Sequence, residues 1–201
     1  KTGCSHFVLR LSAATMTPDK MPPRSAELMS VEDTALLVID VQERLVPHIL
    51  DHPRIVWNIR RLIDAAKILG VRIAGTEQYP KGLGPTVPIL AERLGPLPEK
   101  LMFSCRECWD LFSGLWKEGV RRLLVSGIET HVCVQQTVLD MLAQGWSVYV
   151  AADAMGSRYQ IDHDVALRRM ELAGAVLTTT EATLFEWCVL AGTDQFKEIS
   201  R

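Results

Sequence analysis

A chain of 201 residues with 48% apolar side chains is sized for one domain and can bury a sizeable core. No apolar run approaches the roughly 18–20 residues of a membrane span, so no membrane partner is expected. The formal charge is −2 and the basic residues cluster only as short pairs such as Arg60-Arg61, Arg121-Arg122 and Arg168-Arg169. That balance argues against a nucleic-acid partner.

The five cysteines are Cys4, Cys105, Cys108, Cys133 and Cys188. An odd number without the spacing of a small disulfide framework fits reduced thiols and a cytoplasmic protein. Residues 1–18 carry Lys1 and Arg10, several Ser and Thr and no acid. Mitochondrial transit peptides share that composition; an extension from an upstream start is the alternative. With Pro18, Pro22 and Pro23 among polar residues, 1–30 reads as an arm and 31–201 as the folded domain. Phe7, Val8, Leu9 and Leu11 are candidates to pack on a neighbouring subunit.

From Thr34 the chain alternates. Ala35–Asp40 is a short apolar run, expected as a buried strand. Arg54–Leu69 carries Ile55, Ile59, Leu62, Ala66 and Leu69 at helical spacing, with Gly70 placed to end the helix. Val71–Thr76 is a second strand, and the Gly- and Pro-rich segment Glu77–Pro88 a loop. Leu101–Ser104 is expected as a third strand, followed by a helix near Glu107–Lys117. Arg122–Ser126 is the fourth, and the helix after Cys133 carries Val134, Val138, Met141 and Leu142. Ser147–Ala151 and Ala175–Thr178 are further strands, with helices at about 161–173 and 181–190. Short apolar strands alternating with helices predict a three-layer α/β/α sandwich with a six-stranded, mostly parallel sheet of Rossmann type. Six units are too few for a (β/α)8 barrel.

In open parallel sheets, sites form beyond the carboxyl ends of the strands near the switch point. That rule selects Asp40, the Thr76-Glu77-Gln78 segment, the segment after Phe103, and Glu129–Cys133. Cys133 follows a strand and a Gly turn at the start of a helix, where unpaired N–H groups and the helix dipole lower a thiol's pKa. It is either a nucleophile or a buried structural cysteine. Asp40 alone would read as a turn or cap, and Asp153 as a helix cap or loop anchor. His131 stands two residues from Cys133 and does not face it along a helix, which makes it pocket wall rather than base. Cys105-Arg106-Glu107-Cys108 lacks the second pair of a zinc site and the flanks of a redox motif. Gly82-Leu83-Gly84-Pro85 is no phosphate loop, because Pro85 lacks an N–H and no Lys-Ser/Thr follows.

Five segments in register carry a resemblance: ALLVIDVQ at 35–42, TEQYPKGLGPTVP at 76–88, PEKLMFS at 98–104, GIETHVCVQQT at 127–137 and VAADAMGSRYQI at 150–161. In this order and spacing they resemble the isochorismatase-like cysteine hydrolase family, closest to its YcaC-related and isochorismatase-domain-containing branch. The resemblance implies a catalytic triad of Asp40 as base, Lys100 and the nucleophile Cys133. It implies an oxyanion site at the backbone N–H groups of Glu129 and Cys133, beside a cis Ile128–Glu129 peptide. Gln42, Glu77, Gln78, Tyr79, Cys105, Trp109, Thr130 and His131 are the expected substrate-binding residues. For Gln42, a structural hydrogen bond is the equal alternative.

The nicotinamidases of this superfamily build a metal site from one Asp and two His in the loop after the second strand. Glu77–Pro88 contains no His, so neither a metal nor another cofactor is expected. The implied reaction is cleavage of a C–N bond in a small amide, imide or N-carbamoyl compound through a thioester, carried out by a homo-oligomer. Three rivals stand beside it. Vinyl-ether hydrolysis of isochorismate needs acid chemistry rather than a thiol. A nuclease or RNA-associated role is opposed by the charge balance, and a non-catalytic oligomer by the complete triad.

Overall fold

The structure is a computed structural model and describes residues 21–200. The readings of residues 1–18, including Phe7, Val8, Leu9 and Leu11, lie outside these. The strands are β1 (Thr34–Ile39), β2 (Arg72–Gln78), β3 (Glu99–Lys100), β4 (Arg122–Ile128), β5 (Ser147–Gly156) and β6 (Val176–Thr178). The helices are α1 (His52–Leu69), α2 (Pro80–Leu83), α3 (Pro88–Leu94), α4 (Trp109–Lys117), α5 (Gln135–Ala143), α6 (Gln160–Leu172), α7 (Thr180–Cys188) and α8 (Asp194–Ile199). The sheet runs β3-β2-β1-β4-β5-β6, and every pairing is parallel. Among the described residues no helix is long and apolar enough to cross a membrane.

The period of two along β1 builds the layers. All six residues of Thr34–Ile39 are buried, and alternate side chains enter opposite cores. Leu36 and Val38 join Ile55, Ile59, Leu62 and Ile63 of α1 with Leu184 and Trp187 of α7. Ala35, Leu37 and Ile39 join Phe112 and Leu115 of α4, Val138 and Met141 of α5, and Trp146. The helix expected from its apolar stripe is α1, closed at Gly70 in a left-handed conformation.

β1 sits at the switch point, with the chain leaving to β2 and β3 on one side and returning to β4 on the other. Ile39 is level with Thr76 and with Gly127. The residues that follow these three strands therefore emerge at one edge. Gly127 permits the close approach: a Cβ there would collide with the Ile39 backbone, and its φ of +125° is one that only glycine adopts readily.

Two expectations are corrected, and one helix appears that was not expected. The third strand is Glu99–Lys100, not Leu101–Ser104. Residues 101–104 bend away because Lys100 draws in the Met102 and Phe103 carbonyls, while Glu107 takes the Leu101 and Met102 amides. Glu77 and Gln78 belong to β2 and α2 interrupts the expected loop. Helix α8 carried too short an apolar pattern to be anticipated.

Replacing Gly127 by Ala is expected to cost about 3 kcal/mol or more, because both φ and space oppose a Cβ. Urea denaturation of the variant checks this; an unchanged midpoint would contradict the packing described.

Candidate functional site

Asp40 closes β1. Its backbone has a φ of +53°, a left-handed conformation, and its N–H donates to Thr76 O at 3.1 Å. Its carboxylate is fully buried. Thr76 Oγ1 donates to Oδ1 at 2.8 Å, and Lys100 Nζ donates to Oδ2 at 2.6 Å. Lys100 belongs to the two-residue strand β3 and is itself 1% exposed. Its ammonium also meets Gln78 Oε1 at 2.7 Å, Phe103 O at 2.9 Å and Met102 O at 3.3 Å. An ammonium has three protons and here faces four acceptors, so no N–H remains for another group. Cys133, 5% exposed, neighbours the same carboxylate.

The electrostatics reverse one expectation. Cys133 is the fourth residue of a wide π-type turn, Thr130–Val134, that runs into α5. Burial, followed by the Asp40 charge, pushes its thiol pKa up, and the field of Lys100 only opposes this. The helix-start position does not compensate for lost water. Burial also raises the pKa of Asp40 despite Lys100. Burial opposes the charge on Lys100, but Asp40 outweighs it and holds the ammonium above the usual lysine range. The cluster thus sets the buried Asp40–Lys100 pair beside a thiol that burial holds toward its protonated form.

The other sequence-selected residues divide by what they touch. Gln42 and Gln78 spend their amides on the fold. Gln42 Nε2 donates to the Gln78 and Gly84 carbonyls, its Oε1 accepts from Gln78 N, and Gln78 Nε2 donates to Leu101 O. Together they hold the acceptor that faces Lys100. Glu77 Oε1 accepts from the N–H and hydroxyl of Thr86. Cys105 is buried beside Thr76, and burial pushes its thiol up to about 12. Tyr79 is half-exposed. Trp109 lines a surface cavity of about 280 Å³ with Phe112, Trp116 and Trp146, a set that contains none of Asp40, Lys100 and Cys133.

The Ile128–Glu129 peptide is cis. Glu129 follows β4 directly and opens the turn Thr130–Val134. Its side chain accepts from Arg158 N, Nε and Nη2 at 3.1, 3.1 and 2.9 Å. Burial works against the charged form of Glu129, but these bonds outweigh it and hold the carboxyl below its usual range. Thr130 Oγ1 pairs with His163 Nδ1 and His131 Nδ1 with Ser157 Oγ, each at 2.9 Å. The turn that carries Cys133 is therefore tied both to the segment after β5 and to α6 itself.

Three contributors escaped the sequence reading, Glu107, Thr137 and Arg158, and a fourth, Thr76, was selected only as part of a segment. Thr76 lies in a strand-end segment already selected, and polarity at a buried strand end was its signal. Thr137 and Arg158 act through Cys105 and Glu129, each about thirty residues away, while Glu107 holds the amides of Leu101 and Met102 in a bend that no local pattern marks. Among the described residues no three His, Cys, Asp or Glu side chains converge as a metal-ligand set. Asp153 accepts from the N–H and hydroxyl of Thr180 and so anchors the start of α7, as expected.

Residues 34–182 match the isochorismatase domain family. Isochorismatase domain-containing protein 2A of Mus musculus is 39% identical over 176 residues, covering 85% of this chain and 82% of the relative. The Homo sapiens isochorismatase domain-containing protein 2 is 38% identical over 174 residues, covering 84% and 82%. A solved structure described as the MAR1 ribonuclease from Caenorhabditis elegans has a TM-score of 0.80 at 42% identity, over 86% of this chain and 90% of that one. YcaC from Pseudomonas aeruginosa, solved with hexane-2,5-diol and covalent acrylamide, has a TM-score of 0.80 at 25% identity, over 88% and 92%. YcaC from Escherichia coli, described as an octameric hydrolase of unknown specificity, has a TM-score of 0.77 at 25% identity, over 84% and 85%.

Lys100→Met leaves the buried Asp40 carboxylate without its counter-charge, which is expected to cost about 3–5 kcal/mol at neutral pH. The deficit has a defined sign with pH. The unpaired carboxyl has a folded pKa above its unfolded value, so stability is retained below that unfolded value and lost as pH rises through the folded one. Denaturant unfolding at neutral pH and at about pH 5 should give the larger deficit at neutral pH. A pH-independent deficit would count against a buried ion pair.

Proposed function

Because the chain belongs to the isochorismatase domain family, we propose that it is a metal-independent cysteine hydrolase that cleaves a C–N bond of a small amide, imide or N-carbamoyl compound. The observation that carries this reading is the buried Asp40–Lys100 pair set beside the thiol of Cys133.

The chemistry is written on that pair. Cys133 Sγ attacks the carbonyl carbon and its proton passes to Asp40, since a thiol held neutral by burial needs a base at the moment of attack. The tetrahedral oxyanion is met by the backbone N–H groups of Glu129 and Cys133. Asp40 then returns the proton to the leaving nitrogen, the C–N bond breaks and a thioester remains on Cys133. A water gives a proton to Asp40 as it attacks the thioester, and Cys133 leaves as the thiol. Lys100, with all its protons committed, keeps Asp40 ionised between these transfers and makes no contact with substrate. Tyr79, Thr130 and His131 are the proposed contributors to the pocket wall. A homo-oligomer is the proposed working form, in line with the octameric description of Escherichia coli YcaC.

Ribonuclease activity is the second reading, favoured by the description of the Caenorhabditis elegans neighbour. It is the weaker one here. Phosphodiester binding draws on a basic groove, and this chain has a formal charge of −2. The lysine of the cluster is also spent on internal acceptors.

Incubation with an amide and N-carbamoyl panel should leave an acyl adduct on Cys133, detectable by mass spectrometry. Cys133→Ala should lower turnover at least about a thousand-fold while keeping the fold; undiminished turnover in that variant would sink the mechanism. RNA degradation that survives Cys133→Ala would favour the second reading. Turnover should also lose its acid limb at a pH above the ordinary Asp value of 3.8, because the base must be ionised and burial raises its pKa. Chelators should leave turnover unchanged.

A further inference from the structure

The proposed reaction uses Cys133 and leaves Cys105, the second buried thiol of the cluster, without a task. Its hydrogen bonds supply one. Cys105 Sγ lies 3.4 Å from Thr76 Oγ1, whose single proton is donated to Asp40 Oδ1 at 2.8 Å. The Cys105 S–H is therefore the donor to Thr76. On the other side, Cys105 N donates to Thr137 Oγ1 at 2.9 Å, and the Thr137 hydroxyl spends its proton on Cys133 O at 2.7 Å.

Both donors of one residue thus open separate branches. One passes through a threonine of β2 to the carboxylate of Asp40. The other passes through a threonine of α5 to the backbone of Cys133. Asp40, Thr76, Cys105 and Thr137 are at most 1% exposed, so water does not compete for any of these bonds. We propose that Cys105 is a positioning residue, which holds base and nucleophile in register by starting the two hydrogen-bond branches that end on Asp40 and on the Cys133 carbonyl. The inference deepens the cysteine-hydrolase reading and rests on it.

The branch to Asp40 works only while Cys105 keeps its proton. Burial, with its pKa pushed up to about 12, ensures that across the neutral range. Cys105 is then a fixed donor rather than a second nucleophile or a resolving thiol. The groups facing Asp40 are Lys100 from β3, Thr76 from β2, Cys105 from the turn Cys105–Cys108, and Cys133. Of the direct donors to the carboxylate, Lys100, Thr76 and Cys133, only Thr76 is held in turn by Cys105. Loss of the Cys105 S–H frees that hydroxyl to rotate, and an ionised Asp40 with a less constant donor becomes easier to protonate.

The test reads Cys133 without a substrate: its alkylation rate by iodoacetamide against pH, followed on the Cys133 peptide by mass spectrometry. Cys105→Ala should move the acid limb of that profile upward by about half a pH unit, and Cys105→Ser, which keeps a donor, should leave the limb in place. Thr137→Val should slow alkylation about tenfold at every pH without moving the limb, and Thr137→Ser should restore the rate. A purely structural role would lower melting temperatures while leaving limb and rate as in the unaltered protein, and that result overturns the proposal. If Cys105→Ala does not fold, an undiminished rate in Thr137→Val overturns it alone. Asp40→Asn separates the two levels: a limb that persists in that variant removes Asp40 as base, and with it the hydrolase reading. A limb lost in Asp40→Asn but unmoved in Cys105→Ala defeats only the role of Cys105.

Discussion

The contact between Lys100 Nζ and Asp40 Oδ2 organises the edge of the sheet where the chemistry is proposed to occur. Both side chains are withdrawn from water, and each would be costly to bury alone. Lys100 meets that cost by gathering acceptors from three directions: the carboxylate beyond β1, the amide oxygen of Gln78 on β2, and two carbonyls of its own following segment. The shape of the chain after β3 follows from this. Residues 101–104 cannot continue as a strand while their carbonyls point at an ammonium. Glu107 holds the bend from the far side by accepting from the Leu101 and Met102 amides.

The same contact determines the protonation states. A carboxylate paired with a lysine can stay charged inside the protein, whereas a neighbouring thiol with no free donor cannot. On the proposed mechanism the nucleophile is therefore stored as a neutral thiol and the charge is stored on the base. This arrangement differs from an activated thiolate at a helix end. In the proposed reaction the proton moves at the moment of attack, and the distance between Asp40 and Cys133 becomes the quantity the fold must control. Two elements of the structure bear on that distance. Gly127 lets β4 approach β1 at the level of Ile39, and the threonine-linked contacts around Cys105 join β2 to α5.

Much of this was legible in the chain. The short apolar run of Ala35–Asp40, the stripe from Ile55 to Leu69 and the glycine that ends it predicted the sheet and its first helix, because solvent exclusion leaves its pattern in the sequence. The strand-end rule selected Asp40, Thr76 to Gln78 and Glu129 to Cys133. The five motifs brought Lys100 into the set, which no local pattern marks, since a lysine before a short strand reads as surface until its partners are known.

Tertiary structure decided what each selected residue does. For Gln42 the sequence left a pocket role and a structural hydrogen bond equal, and its amide meets the backbone of Gln78, whose own amide meets Lys100 and Leu101 O. Glu129 was selected for its backbone, yet its side chain is held by Arg158, 29 residues on. The protonation of Cys133 reversed for the same reason: a helix start is local and visible, whereas burial and the charge of Asp40, 93 positions earlier in the sequence, exist only after folding. The sequence by itself determined which residue types arrive at the edge of the sheet, through periodicity and motif. Distance, burial and the allocation of each proton came from the packing of strands and turns that are remote along the chain, because electrostatic energies depend on through-space neighbours and on excluded water.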